Sequence, residues 1–286
     1  MIPASLEEAV ELIPDGSTVA VGGAWLSGHP MALVRELVRQ GRRDLHLVTV
    51  VGSVAIDALV GAGCAASVAF SFVSLEAFGL APNFRRAAES GELELRERTG
   101  VGMTMGIEAA SRGVPFLPYD GPEGTELAGR PDAYRSVECP FTGRRLTAVA
   151  AIPIDVAILH GARADTDGNV QLEGTHGPDL HMAEAASTVI CTVEEVVSPE
   201  ELRSRSRAPL VARHLVDRVV HAPLGAHPTS YLPYYVTDMW AIEEYVDGGA
   251  ADVVAWAAED EKRYRDRLDV DRVERLQALV HAVEAP

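Results

Sequence analysis

The stretch VAVGGAWLSGHP, residues 19–30, joins an apolar run to a loop with three glycines and a proline. The apolar run is typical of a buried β-strand, and the proline opens a helix-like segment, PMALVRELVRQG (residues 30–41). In α/β folds, ligands bind at the carboxyl ends of parallel strands, where glycines let the backbone approach closely and helix N-termini favour anions. The spacing matches neither GxGxxG nor a Walker A loop, so a plain tight turn is an equal alternative.

The chain on either side repeats this alternation of apolar runs and helical segments. We predict strands over residues 44–51, 66–75, 93–97 and 114–118, and helices over residues 5–13, 53–63, 82–91 and 103–113. Ser5 and Glu8 have the spacing of a helix capping box. The alternation predicts an α/β fold, with a single open, mostly parallel sheet flanked by helices.

The second half contains two turn signals, Thr142–Gly143 and residues 167–169 (Asp-Gly-Asn), of which the latter suits a hairpin. Residues 187–197 read as a strand and residues 209–217, PLVARHLVD, as a helix. We predict one domain spanning residues 1–286, with a charged helical C-terminal extension at about 250–286. The spaced apolar residues of that extension predict one packed stripe on the outer surface or at a subunit contact.

Composition excludes several classes of protein. The formal net charge of −17 argues against a nucleic-acid partner, so an anionic ligand would have to be held by local backbone N–H groups or arginines. No apolar run is long enough to span a membrane, and the N-terminal residues do not resemble a signal peptide. The widely spaced Cys64, Cys139 and Cys191 favour reduced thiols and a cytoplasmic location.

The opening stretch and five later segments resemble, in their order, the α subunits of class I coenzyme A transferases, in the glutaconate CoA-transferase branch. The segments are residues 21–37 (VGGAWLSGHPMALVREL), 70–79 (FSFVSLEAFG), 112–118 (RGVPFLP), 164–170 (ADTDGNV), 183–197 (AEAASTVICTVEEVV) and 221–231 (HAPLGAHPTSY). The resemblance extends over about residues 5–240. It departs from the family pattern at Ala24, which separates the glycine pair from the aromatic Trp25.

This resemblance implies a fold of the CoA-transferase type and a reaction that moves coenzyme A between carboxylic acids through a glutamyl-CoA thioester. The family's nucleophilic glutamate belongs to the β subunit, in a segment resembling Ser-Glu-Asn-Gly, and no such segment occurs here. The resemblance therefore implies no catalytic residue in this chain, a β-subunit partner in a heterotetramer, acyl-CoA as substrate and no tightly bound cofactor. The residues we assign to substrate or CoA binding are Gly22, Gly23, Trp25, Gly28, Ser74, Glu76 and His227.

Several of these residues have a structural alternative. The Ser74 hydroxyl would otherwise cap a turn at a strand end, Glu76 would be a hydrogen-bonded structural carboxylate rather than an acid catalyst, and His227 would be a satisfied structural histidine. Two further clusters also have alternative interpretations. The spacing of His176, Asp179 and His181 fits no standard zinc site, so we expect no metal. The second cluster would either bind the phosphates of the coenzyme or form an exposed turn, and it consists of Arg203, Arg205 and Arg207.

Two other functions remain open. A related ring-opening hydrolase of cyclic CoA thioesters would need an acid shortly after the segment LELRE, residues 93–97, but no carboxylate lies between Arg98 and Ile107. A non-catalytic acyl-CoA-binding protein on a related fold would need no β subunit. The sequence of a co-encoded chain would separate this last possibility from a transferase.

Overall fold

The computed structural model describes residues 4–205, 208–258, 264–266, 268 and 270–284. The strands are β1 (Thr18–Val21), β2 (Leu45–Val48), β3 (Val51–Gly52), β4 (Ala65–Phe70), β5 (Phe72–Val73), β6 (Glu94–Glu97), β7 (Phe116–Tyr119), β8 (Tyr134–Glu138), β9 (Arg145–Ala150), β10 (Ile154–Asp165), β11 (Val170–Gln171), β12 (Ala186–Val197), β13 (Leu210–Val211) and β14 (Arg218–His221). The helices are α1 (Leu6–Val10), α2 (Met31–Arg39), α3 (Val54–Gly61), α4 (Pro82–Ser90), α5 (Gly100–Ser111), α6 (Asp179–Ala185), α7 (Pro199–Arg205), α8 (Met239–Asp247), α9 (Val253–Ala257) and α10 (Val270–Glu284).

The main sheet is parallel over the strand order β6–β4–β2–β1–β10–β12–β14. β1 lies at its centre, where Val19 pairs with Leu47 of β2 on one side and with Val156 of β10 on the other. β10 continues past the end of β1, and there the short β11 and β13 add an antiparallel edge. The prediction of an open, mostly parallel sheet is confirmed.

Helices cover both faces of this sheet. Side chains alternate along each strand, so Val19 and Val21 of β1 point into one core and Ala20 into the other. The first core lies under α1, α2 and α3, and the second lies under α5 and α6. Burial on both faces explains why the strands read as continuous apolar runs rather than as alternating patterns.

Two predicted elements are wrong in type or pairing. Residues 114–118 do not extend the parallel sheet, because β7 pairs antiparallel with β9 in a separate sheet of order β7–β9–β8. Residues 209–217 do not form a helix, because Leu210 and Val211 form β13 against β11 and a turn follows. Both turn signals are confirmed, with β8 antiparallel to β9 and β10 antiparallel to β11.

The C-terminal extension packs against the rest of the fold through its apolar side chains. Val253 and Ala257 of α9 are buried in the first core with Ala250, while Leu276 and Val280 of α10 are also buried. In the described residues, no helix has both the length and the hydrophobicity that crossing a membrane requires.

Candidate functional site

The chain's path through the sheet makes the centre of the molecule the candidate ligand site. From β1 the chain proceeds outward through β2, β4 and β6, and it later returns to the other side of β1 to form β10, β12 and β14. The order of strands therefore reverses between β1 and β10, and ligands of open α/β sheets bind at the carboxyl ends of the strands at such a point. The loop that leaves β1 there is residues 22–30, which we call the glycine loop.

The glycine loop is a tight turn held by its own backbone. Ala24 and Ser27 exchange N–H to carbonyl hydrogen bonds of 2.9 and 3.1 Å, which leaves Trp25 and Leu26 at the tip. Trp25 has a φ of +53°, although bulky side chains disfavour this left-handed region, and its indole is half exposed. Gly23 and Gly28 also have positive φ values, of +83° and +71°.

The absence of a side chain at Gly23 is required by the loop itself. A Cβ atom there would lie 2.6 Å from the backbone of Ser27, Gly28 and His29. At Gly22, a Cβ would lie 2.7 Å from the Leu159 side chain of β10. Gly23 therefore needs glycine both for its positive φ and for the close packing within the loop, as expected. Its assignment to substrate binding stays a prediction.

A buried carboxylate holds the base of the loop. Asp179, the first residue of α6, is fully buried and accepts the Gly23 N–H at 3.0 and 3.2 Å from its two oxygens. Burial raises the pKa of Asp179, and the Gly23 N–H and the nearby His176 act in the opposite direction. The sequence suggested Asp179 only as a metal ligand, because its contact with Gly23 spans 156 residues of chain and has no local signal.

A buried histidine holds the loop from within. Nδ1 of His29 lies 2.8 Å from the Gly22 carbonyl oxygen, and Nε2 lies 2.7 Å from the Trp25 carbonyl oxygen. Burial lowers the pKa of His29 to about 4, so the ring is neutral at pH 7 and donates from one nitrogen only. His29 lies inside the quoted stretch, but its role there was not predicted.

The segment after β14 packs directly onto the glycine loop. The Gly28 N–H donates to the Ser230 carbonyl and the Ser230 N–H donates to the Leu26 carbonyl, both at 2.8 Å. The Ala32 N–H at the start of α2 donates to the Gly225 carbonyl, also at 2.8 Å. The first and last of the family-like segments therefore form one structural unit, although about 200 residues separate them.

A buried polar network lies beneath this second segment. Glu194 of β12 accepts the Leu224 N–H at 2.8 Å through one oxygen and the Tyr235 hydroxyl at 2.7 Å through the other. His160 of β10 contacts the same carboxylate at 2.9 Å and Thr192 at 2.8 Å. This network fixes Leu224 at a φ of +60°, and no sequence motif indicated it.

His227 lies in a buried cluster with the C-terminal extension. Its Nε2 is 2.9 Å from Asp238, its Nδ1 is 2.7 Å from the Tyr264 hydroxyl, and its carbonyl accepts a bond from the buried Arg35. Burial lowers the pKa of His227, against the influence of Asp238. Burial also acts to raise the pKa of Asp238, but bonds from His227 and Arg272 hold it at about 2. This geometry matches the structural alternative for His227.

Ser74 and Glu76 follow β5, which pairs with β3 in a separate two-stranded sheet. β3 and β5 come after β2 and β4 along the chain, and β2 separates β4 from β1 in the main sheet. The Ser74 hydroxyl accepts the Glu76 N–H at 2.9 Å and donates to the Gly79 carbonyl at 3.2 Å, as the turn-capping alternative requires. Glu76 is exposed and has a φ of +55°.

The remaining candidates gain no support as a site. His181 pairs with Glu184 on α6, and no group of three or more metal-ligating side chains occurs among the residues that the structure describes. Arg203 is exposed on α7, while the side chain of Arg205 and all of Arg207 lie outside the described residues. The stretch between Arg98 and Ile107, which lacks a carboxylate, forms the first turns of α5.

Comparison with known relatives shows transferase and hydrolase subunits at similar identity. The chain is 35% identical over 238 residues to the A subunit of 3-oxoadipate CoA-transferase from Pseudomonas knackmussii, covering 82% of this chain and 83% of the relative. It is also 35% identical over 238 residues to the cholesterol ring-cleaving hydrolase IpdA subunit of Rhodococcus jostii, covering 79% of each.

Two solved structures share the whole fold. Glutaconate coenzyme A-transferase from Acidaminococcus fermentans matches with a TM-score of 0.89 and 28% identity, covering 96% of this chain and 94% of that one. A variant of the decarboxylase AibA/AibB matches with a TM-score of 0.82 and 37% identity, covering 93% and 98%. The family model for coenzyme A transferase matches residues 4–222. This chain therefore belongs to the coenzyme A transferase family.

Proposed function

We propose that this chain is the α subunit of a heteromeric CoA-transferase, which moves coenzyme A between carboxylic acids through a glutamyl-CoA thioester on a β subunit. The observation that carries the proposal is the match of nearly the whole chain to glutaconate coenzyme A-transferase, together with the similarity to the A subunit of a 3-oxoadipate CoA-transferase. The glycine loop at the reversal point of the sheet supplies the half of the site that this chain contributes.

The carboxylates beside the glycine loop support a nucleophile from the partner. Asp179 is bound to the Gly23 N–H, and Glu194 is bound to the Leu224 N–H and the Tyr235 hydroxyl. Both carboxylates are buried and already accept hydrogen bonds within this chain, so neither is placed to attack a substrate, and the nucleophile is left to the partner.

The proposed chemistry proceeds in two balanced halves. The partner's glutamate attacks the thioester carbonyl of the donor acyl-CoA, which releases coenzyme A as thiolate and leaves a mixed anhydride. The thiolate then attacks the glutamyl carbonyl, so that the donor acid leaves as carboxylate and glutamyl-CoA remains. The second half repeats these steps in reverse with the acceptor acid. Each tetrahedral intermediate carries an oxyanion that N–H donors would stabilise.

The proposed assembly is a cytoplasmic heterotetramer with two copies of each subunit. Support comes from the subunit naming of the relatives and from Cys64, Cys139 and Cys191, which are free thiols as in a reducing compartment. Coenzyme A enters as part of the substrate rather than as a resident cofactor. Native mass spectrometry of the co-expressed subunits would measure the stoichiometry.

A reconstitution experiment tests the function. The chain is purified alone and with its co-encoded partner, and acyl-CoA donors are assayed against dicarboxylate and 3-oxo acid acceptors. We expect exchange of coenzyme A by the complex only, with ping-pong kinetics and a borohydride-reducible thioester on the partner. Turnover by the chain alone would contradict the shared site. Product formation without an acceptor acid would instead indicate a hydrolase or a decarboxylase, and binding without turnover would indicate a binding protein.

A further inference from the structure

Two of the backbone N–H groups in the glycine loop differ from their neighbours. Gly22 donates to the Ile158 carbonyl, Gly23 to Asp179, and Ala24 to the Ser27 carbonyl. In contrast, no hydrogen-bond acceptor in the described part of the chain takes the N–H of Trp25 or of Leu26. Trp25 is half exposed and Leu26 is partly exposed, so the tip lies at the surface of this chain.

The conformation of the tip is held by the ring of His29. The ring lies fully buried inside the loop, with its two nitrogens within 2.8 Å of the carbonyl oxygens of Gly22 and Trp25. These carbonyls belong to the base and the tip of the turn. The neutral ring donates to only one of them, and a proton on Nε2 would bond the Trp25 carbonyl and so hold the tip. Trp25 sits at a φ of +53°, where a bulky residue stays only if its surroundings determine its conformation.

We propose that His29 is a positioning residue that keeps the Trp25 and Leu26 N–H groups unpaired as donors to a carbonyl or carboxylate oxygen of the acyl substrate. This inference rests on the proposed function, because the oxygen belongs to the acyl-CoA or to the free acid of that reaction. Two preorganised N–H donors are the usual means of stabilising the oxyanion of acyl transfer, and they act most strongly where charge develops.

The two ends of the ring can be tested separately. In His29→Gln, the amide nitrogen reaches the Nε2 position and retains the contact with the Trp25 carbonyl. In His29→Asn, the shorter amide reaches only the Nδ1 position and retains the contact with the Gly22 carbonyl. His214→Asn is the matched control, because His214 is exposed and lies outside the loop.

The experiment measures kcat and KM for acyl-CoA on the assembled complex of each variant with the β subunit, together with its thermal midpoint. Loss of a well-placed donor costs about a hundredfold in rate. We expect His29→Asn to lower kcat by about 10- to 100-fold with a smaller change in KM. We expect the kcat of His29→Gln to stay within about fivefold of the wild-type value, and the kcat of the control His214→Asn to equal the wild-type value.

Three results overturn the inference. The first is an assembled His29→Asn complex whose thermal midpoint has fallen but whose kcat is unchanged. The second is an equal loss of kcat in His29→Asn and His29→Gln. The third is a change in KM for His29→Asn without a change in kcat. If His29→Asn does not assemble with the β subunit, the kcat of His29→Gln tests the inference by itself. A kcat more than tenfold below wild type would contradict the role of Nε2, and a retained kcat would support it. If the wild-type complex does not exchange coenzyme A, the proposed function itself is refuted. That result is distinct from the three results that overturn the role of His29.

Discussion

Replacing Gly23 with alanine should destabilise the protein more than the same change at other left-handed glycines. The left-handed φ of +83° costs an L-residue about 1–2 kcal/mol. The new Cβ would also lie 2.6 Å from three backbone atoms, which cannot rotate away as a side chain can. Overpacking of this kind costs about 1–3 kcal/mol, so the total is about 2–5 kcal/mol. Urea denaturation measures this loss as a lower midpoint.

Gly41→Ala is the matched control for this change. Gly41 has a φ of +64°, but a Cβ there would meet nothing within 4 Å, so only the conformational cost of about 1–2 kcal/mol remains. An equal loss in both variants would refute the close packing within the loop. Activity gives a second readout, because a shift of about 1 Å in the loop of the assembled complex should cost on the order of a hundredfold in kcat, whereas Gly41→Ala should keep wild-type kcat.

Two further predictions concern buried charges. The pKa of His29 falls from 6.5 to about 4 on folding, so the unfolded chain binds the proton first, and the free energy of unfolding should drop by about 3 kcal/mol as pH falls from 6.5 to 4. In His29→Gln, urea denaturation between pH 6.5 and 4 should show a smaller fall in the free energy of unfolding. Asp57 and Asp179, whose pKa values are raised, act in the opposite direction in both proteins. An equal pH dependence in the two proteins would contradict the role of His29. Arg272→Met removes a 2.6 Å hydrogen bond to the fully buried Asp238 and should lower the free energy of unfolding by about 2 kcal/mol. The kcat of the assembled complex should not change. Arg213 is exposed, so the control Arg213→Met should change the free energy of unfolding little. A folded Arg272→Met complex that loses only its catalytic step would show that the extension belongs to the site.

Local signals in the sequence were sufficient for most of the fold. Ser5 and Glu8 form the predicted capping box, with both reciprocal hydrogen bonds present. Gly91 ends α4 in the left-handed conformation, as a C-terminal glycine predicts. These features depend on residues within one helical turn of one another. The parallel pairing of the main strands followed from helices between successive apolar runs, which is also a short-range pattern.

The two wrong elements depend on distant partners. The segment VPFLP (residues 114–118) has the same composition in a parallel or an antiparallel sheet, and its pairing with β9 is set by residues about 30 positions away. Residues 210–211 are extended because β11 offers hydrogen bonds there, although the surrounding sequence has apolar spacing that suits a helix. Tertiary pairing outweighs local propensity in both cases.

The candidate site was predicted in position but not in its supporting contacts. The glycine loop lies at the end of β1 as expected, whereas Asp179 and Glu194 reach it or its neighbouring segment across the fold. His227 was assigned to the site because it lies in a family-like segment, yet its ring contacts Asp238 and Tyr264. A sequence motif gives the place of a residue along the chain but not the direction of its side chain.

The packing of the glycine loop makes Gly22 and Gly23 necessary for the fold. They are required by contacts with the loop's own backbone, with Leu159 and with Asp179, whichever reaction the complex performs. The comparable identity to proteins named as transferase, hydrolase and decarboxylase agrees with this reasoning. The first turns of α5 carry no carboxylate between Arg98 and Ile107, and Asp179 is bound to Gly23. Neither place therefore offers an unbound carboxylate, which agrees with the proposed nucleophile from a β subunit.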